Sequence, residues 1–244
     1  MECTDVGQQA VTVPSGPPDH SVSGRNRRPV IWRVVGVVGE LLAILGIVLI
    51  GYLAYQTWGK LEEIDDSQAQ LDQQLSQSWQ EESEPAPNSP GAQRARPAGS
   101  PMIRLSIPRL GRRWTVVEGT GLANLRAAPG HYRGSQLPGE LGNFAVAAHR
   151  SPGLFWDLDI IRAGDEIIVE DRDTRYVYRA DDPRIVSPAA SEVLAPVPGQ
   201  PGAEPVTARI TLTTCNPKWD NYERLIIGGQ LESATPKTMP SGGT

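Results

Sequence analysis

Cys215, His149 and Arg224 are the residues of this chain whose types could together break and remake an acyl bond. A thiol is a poor nucleophile and a thiolate a good one, and a neighbouring imidazolium or guanidinium favours the thiolate. An imidazole can also protonate a leaving amine and deprotonate an incoming one. Arginine keeps its charge and carries a fork of N–H donors, so it can stabilise an oxyanion or hold a substrate carbonyl. Each residue alone has a plainer reading. A buried cysteine behaves as a small hydrophobe, a histidine at a strand end is commonly structural, and an arginine at a strand start is commonly solvated. The three in combination favour the chemical reading. The remaining cysteine, Cys3, lies on the far side of a long apolar block, so a local disulfide framework is excluded. Spacings such as CxxC or HExxH are lacking, so no metal and no cofactor are expected, and there is no P-loop or GxGxxG.

These residues need elements to position them. His149 closes the buried-type run NFAVAAH (143–149), Cys215 follows ARITLTT (208–214), and Arg224 opens RLIIGGQL (224–231). If the first two runs lie side by side in one sheet, His149 and Cys215 meet at one rim. The loop NPKWDNYE then brings Arg224 back beside the thiol. Further strands are expected over Met102–Ile107, which alternates apolar and polar residues, and over Arg113–Val117, Glu166–Glu170, Arg175–Arg179 and Arg184–Val186. Single helical turns fit Leu122–Arg126 and Ala189–Leu194. Many short strands punctuated by proline and glycine imply an all-β fold, a closed barrel with short helices.

The rest of the chain reads as anchor and tails. Residues 34–55 form an apolar run interrupted by the charge of Glu40 and flanked by Trp32 and Trp58. That is long enough for a transmembrane signal anchor, which needs about 20 apolar residues. Arg25, Arg27, Arg28 and Arg33 precede it, and Glu62, Glu63, Asp65, Asp66 and Asp72 follow it. The positive-inside rule then makes residues 1–33 a cytoplasmic tail and puts the rest outside the cell membrane, single-pass. Residues 56–101 read as a stalk and Pro-rich linker. Within it Leu61, Ile64, Leu71 and Leu75 make a thin apolar stripe at helical spacing. Residues 102–232 form the folded domain, and 233–244 a disordered tail. The net charge of −5 and the absence of a basic face argue against nucleic acid as a partner.

TLTTC (211–215) followed by Arg224, with NFAVAAHR (143–150) upstream, resembles the signature of the sortase family of cysteine transpeptidases. APGHYRGSQLPGELGNFAVAAHR, AGDEIIVE and PAASEVLAPVPG are most similar to class E sortases of actinobacteria, with AAHR where many relatives have AGHR. The resemblance implies a sortase-type eight-stranded β-barrel. It implies Cys215 as nucleophile, His149 as acid and base, and Arg224 as oxyanion or substrate holder. His131, Tyr132 and Thr214 would contribute to substrate binding. The implied reaction cleaves a C-terminal sorting signal of surface proteins, LAxTG or LPxTG-like, between Thr and Gly. A peptidoglycan precursor amine would then accept the acyl group. The candidate calcium loop, Ser187–Thr207, has only Glu192 and Glu204 as carboxylates, so no required metal is expected. A pilin-polymerising sortase and a non-catalytic, membrane-tethered β-barrel binding module remain alternatives. A lysine acceptor would mark the first, and a thiol that resists alkylation until unfolding would mark the second.

Overall fold

Alternating apolar residues give the barrel strands one face for the core and one for solvent. In the computed structural model, which describes residues 30–81 and 96–237, β1 (Pro101–Ile107) buries Ile103, Leu105 and Ile107. The residues before Val30, including Cys3, on which most of the expected cytoplasmic tail falls, the Pro-rich stretch 82–95 and residues 238–244 lie outside the described residues. The remaining strands are β2 (Arg112–Glu118), β3 (Gly130–His131), β4 (Gly142–Ala147), β5 (Glu166–Glu170), β6 (Thr174–Ala180), β7 (Arg184–Val186), β8 (Ala208–Asn216) and β9 (Glu223–Pro236). Hydrogen bonds order them β6-β5-β1-β2-β3-β4-β8-β9, and a β6–β9 pairing closes the ring at eight strands. β7 stands outside that ring, on the edge of β9 next to β6.

The parallel pair β4–β8 positions the chemistry. Phe144 pairs with Ile210, Val146 with Leu212 and Ala147 with Thr213, so both strands end at the same rim. β4 is buried throughout, which explains its run of small and apolar residues without alternation. The core gathers Trp114, Phe144, Phe155, Leu158, Tyr178, Ile210 and Leu212. Trp114 and Phe155 meet edge to face at 5.3 Å, and the Trp114 indole N–H donates to the Gly153 carbonyl at 2.8 Å.

Two elements differ from expectation. β9 runs past Leu231 to Pro236, because β6 offers a partner edge there: Val177 faces Ser233 and Thr174 faces Pro236. Residues 233–236 of the expected disordered tail are therefore strand. β3 is a two-residue strand that no period-2 pattern could reveal. It pairs with β2 and β4 and bridges them.

The chain divides into two units, Met1–Gly51 and Tyr52–Thr244. The first carries the start of α1 (Val30–Glu81) and most of an apolar span, Ile31–Tyr55, of mean hydropathy 2.6. That span is long and apolar enough to cross a membrane. In the second unit, the later part of α1 packs on the barrel. Its stripe buries Ile64 and Leu75 and half-buries Leu61 and Leu71. Gln68 fills the position missing from that stripe. Its amide accepts from Thr115 N–H at 2.7 Å and donates to the Ala127 carbonyl at 2.8 Å. The reason lies in the short β3, which pairs only with Val117 and Glu118 of β2. The rest of that β2 edge would otherwise be left open, and Gln68 satisfies it. Asp72 and Ser76 bind Arg104, whose guanidinium also lies 4.6 Å over the Trp79 ring.

Candidate active site

Cys215 and Arg224 face each other directly across the antiparallel β8–β9 pair. Opposed residues in such a pair project on the same face, with Cβ atoms about 4.5–5.5 Å apart. The loop between them, which carries Lys218, Trp219 and Asp220, closes that register. The Arg224 guanidinium is held from below, donating to the carbonyls of Asn221 at 2.7 Å and Glu223 at 2.8 Å. Cys215 is a free, half-buried thiol.

His149 lies two residues past the end of β4. Its position is fixed by the backbone on both sides. The Ala148 N–H donates to the Thr213 carbonyl at 3.1 Å, and the Thr214 hydroxyl donates to the Ala148 carbonyl at 2.8 Å. Phe155 N–H then donates to the His149 carbonyl at 3.2 Å. Thr214 is buried, so it acts here as a clamp between the two strand ends.

His149 and Cys215 line one cleft of about 980 Å³, together with Arg150, Trp156, Lys218, Trp219, Arg126 and residues of α1. Trp219 is 87% exposed and meets Trp156 edge to face at 4.8 Å. Tyr132, which follows β3, is half-buried, and its hydroxyl feels the charges of Arg224 and Cys215. Burial raises its pKa above the usual phenol value, Arg224 pulls it back, and Cys215 raises it again. The net is upward, so at neutral pH this hydroxyl remains a hydrogen-bond donor.

A family model described as the Sortase domain matches residues 105–232, over which these strands and this rim are built. The chain belongs to the sortase family. Sortases are cysteine transpeptidases, so the chain is of an enzyme family. Sortase SrtE1 of Streptomyces coelicolor is 28% identical over 82% of this chain and 58% of its own length. Sortase SrtE2 of the same organism is 31% identical over 85% of this chain and 87% of its own length. This chain therefore spans less than two thirds of SrtE1 and most of SrtE2. A solved structure of sortase E from Streptomyces avermitilis is 38% identical, covering 58% of this chain and 93% of that chain, with a TM-score of 0.51. Within the family, this chain is class E-like.

Of the residues expected at the sortase site, Cys215 and His149 share the cleft, Arg224 opposes Cys215 across the β8–β9 pair, and the half-buried Tyr132 hydroxyl feels the charges of Arg224 and Cys215. His131 is placed elsewhere. It is buried, stacked on Phe144 at 5.2 Å, with Nδ1 3.1 Å from Glu118 Oε2 and Nε2 2.9 Å from the Ser135 hydroxyl. Its ring thus braces the backbone that carries Tyr132 from inside the barrel.

Arg150 is the residue that sequence reasoning passed over. It is buried, and it ties the His149 loop to the end of β8. Its guanidinium donates to the Asn216 side-chain oxygen at 2.8 Å, the Cys215 carbonyl at 3.3 Å and the Trp156 carbonyl at 3.3 Å, and pairs with Asp159 at 3.0 Å. The available signal was its place beside His149 in AAHR. Replacing it leaves these acceptors unmatched, at about 1–3 kcal/mol for each buried group left without a partner. Arg150→Ala should lower stability by about 2–3 kcal/mol. Thermal unfolding together with peptide turnover should show both losses, the turnover falling about tenfold or more as His149 and Cys215 lose alignment.

Proposed function

We propose that this chain is a membrane-anchored transpeptidase that cuts a C-terminal sorting signal, LAxTG or LPxTG-like, between Thr and Gly. The cut surface protein would then pass to a cell-wall amine, on a peptidoglycan precursor. The observation that carries this reading is the register. β4–β8 pairing brings His149 and Cys215 to one rim, and β8–β9 pairing sets Arg224 opposite Cys215.

In this reading the Cys215 thiolate attacks the threonine carbonyl carbon. The oxyanion that forms is met by the Arg224 guanidinium, a fixed charge held by its own loop carbonyls. Collapse breaks the C–N bond, and the glycine amine leaves with a proton from His149. The acceptor amine gives a proton to His149 as it attacks the thioester, and Cys215 leaves as the thiolate. Tyr132 offers its hydroxyl to the bound peptide, with His131 and Thr214 supporting the walls. The apolar span is the anchor, and the arginines before it place the N-terminus in the cytoplasm and the barrel outside.

The test is cleavage of fluorogenic LAxTG and LPxTG peptides by the full chain, with an amine acceptor supplied. Turnover with an amide-linked acceptor product is expected. Failure to cleave either peptide would rule out this substrate class.

A further inference from the structure

The cleft holding Cys215 and His149 is not made by the barrel alone. Glu63, Ile64 and Ser67 of α1 also line it. Their spacing places them on adjoining positions of one helix face. The helix is held there at two points, one in the histidine loop beside the cleft and one on a cleft-lining residue. Ile64 rests on Gly153, in the loop that begins at His149. Gly153 has φ +90, and a Cβ there would come within 3.1 Å of Ile64. One turn on, Gln68 donates to the carbonyl of Ala127, a cleft-lining residue beside Arg126. The helix is thus fastened to both the histidine loop and the Arg126 side of the cleft.

We infer that Glu63, Ile64 and Ser67 are specificity-determining residues that contact the bound peptide, so the substrate site of this chain is incomplete without the helix that follows its apolar span. The inference rests on the proposed peptide substrate. Lys218 is engaged by Asp157 and Asp159, and Arg150 by Asp159. Glu63 adds an exposed carboxylate on the helix side. A peptide with lysine or arginine flanking the cleaved segment gains from that carboxylate, and salt weakens the gain. Ile64 supplies apolar contact, and Ser67 leaves room for backbone.

The experiment uses the full chain in detergent, with Ser67→Trp to fill the wall and Glu63→Lys to reverse its charge. Glu63 is exposed, so the second variant does not depend on repacking. Ser67→Trp should lower kcat/KM at least tenfold, mainly through KM. Iodoacetamide modification of Cys215, followed on its own proteolytic peptide, should stay within twofold. Glu63→Lys should reverse the preference between lysine-flanked and glutamate-flanked peptides. A kcat/KM within twofold in Ser67→Trp together with an unchanged preference in Glu63→Lys overturns the inference. So does a higher kcat/KM in Gln68→Ala, which would make the helix an occluding lid. If the unsubstituted chain cleaves no peptide, the substrate reading fails separately. The wall is then tested by labelling. A peptide-borne maleimide should lose at least fivefold in reactivity at Cys215 relative to iodoacetamide in Ser67→Trp, and an unchanged ratio overturns the wall.

Discussion

Cys215→Ala should abolish turnover, with a loss of at least about 10⁴-fold that leaves only background hydrolysis. The size of the effect follows from the chemistry. Covalent catalysis passes through a thioester, and alanine offers no atom to form one. The fold should be spared, because Cys215 is half-buried at the last residues of β8 and fills no core position. Its backbone pairing with Arg224 does not depend on the side chain. The unfolding temperature should therefore move little, within the ±0.5 kcal/mol usual for substitutions away from the core. Mass spectrometry gives a second readout. The unsubstituted chain, mixed with peptide and no acceptor, should carry an acyl adduct on the Cys215-bearing fragment, and the variant should carry none. Comparable turnover in the variant would remove Cys215 from the mechanism altogether.

The parts of this molecule that were legible in sequence are those that repeat a local rule. β1 and β5 alternate or bury apolar residues over several positions, and their bounds come close to the expected ones. The TLTTC segment could be placed at a strand end because the run before it is β-branched and apolar. What stayed hidden depends on partners far along the chain. β3 exists because β2 and β4 lie on either side of Gly130 and His131, and two residues carry no period. The extra length of β9 needs the edge of β6. Gln68 breaks an apolar stripe in sequence, yet in the fold it completes one, because the backbone of β2 and Ala127 needs a donor and an acceptor there. His131 looked like a loop residue beside Tyr132, and its burial follows from Glu118, which only the β2–β3 pairing brings to it. Arg150 is similar. A charged residue next to a histidine reads as solvated until Asn216 and Asp159 are seen to meet it.

Arg224 is where charge and geometry can be separated by experiment. Arg224→Ala should reduce kcat/KM by about 10²–10³-fold, the range found when one oxyanion donor is removed. Arg224→Lys keeps the charge but loses the planar fork. In the native site part of that fork is spent on the Asn221 and Glu223 carbonyls, which fixes the direction of the remaining N–H groups. A lysine ammonium has a single nitrogen, so it can keep those carbonyls or meet the oxyanion, but not hold both with the same aim. The lysine variant should therefore recover at most about tenfold of the alanine loss, an effect on kcat more than on KM. If the lysine variant is as active as arginine, charge alone suffices and the fork has no role. If both variants lose affinity with kcat intact, Arg224 holds the peptide in the ground state and the oxyanion must be met by another donor. Tyr132 is the residue to examine in that case, since its hydroxyl stays protonated and feels the charges of both Arg224 and Cys215.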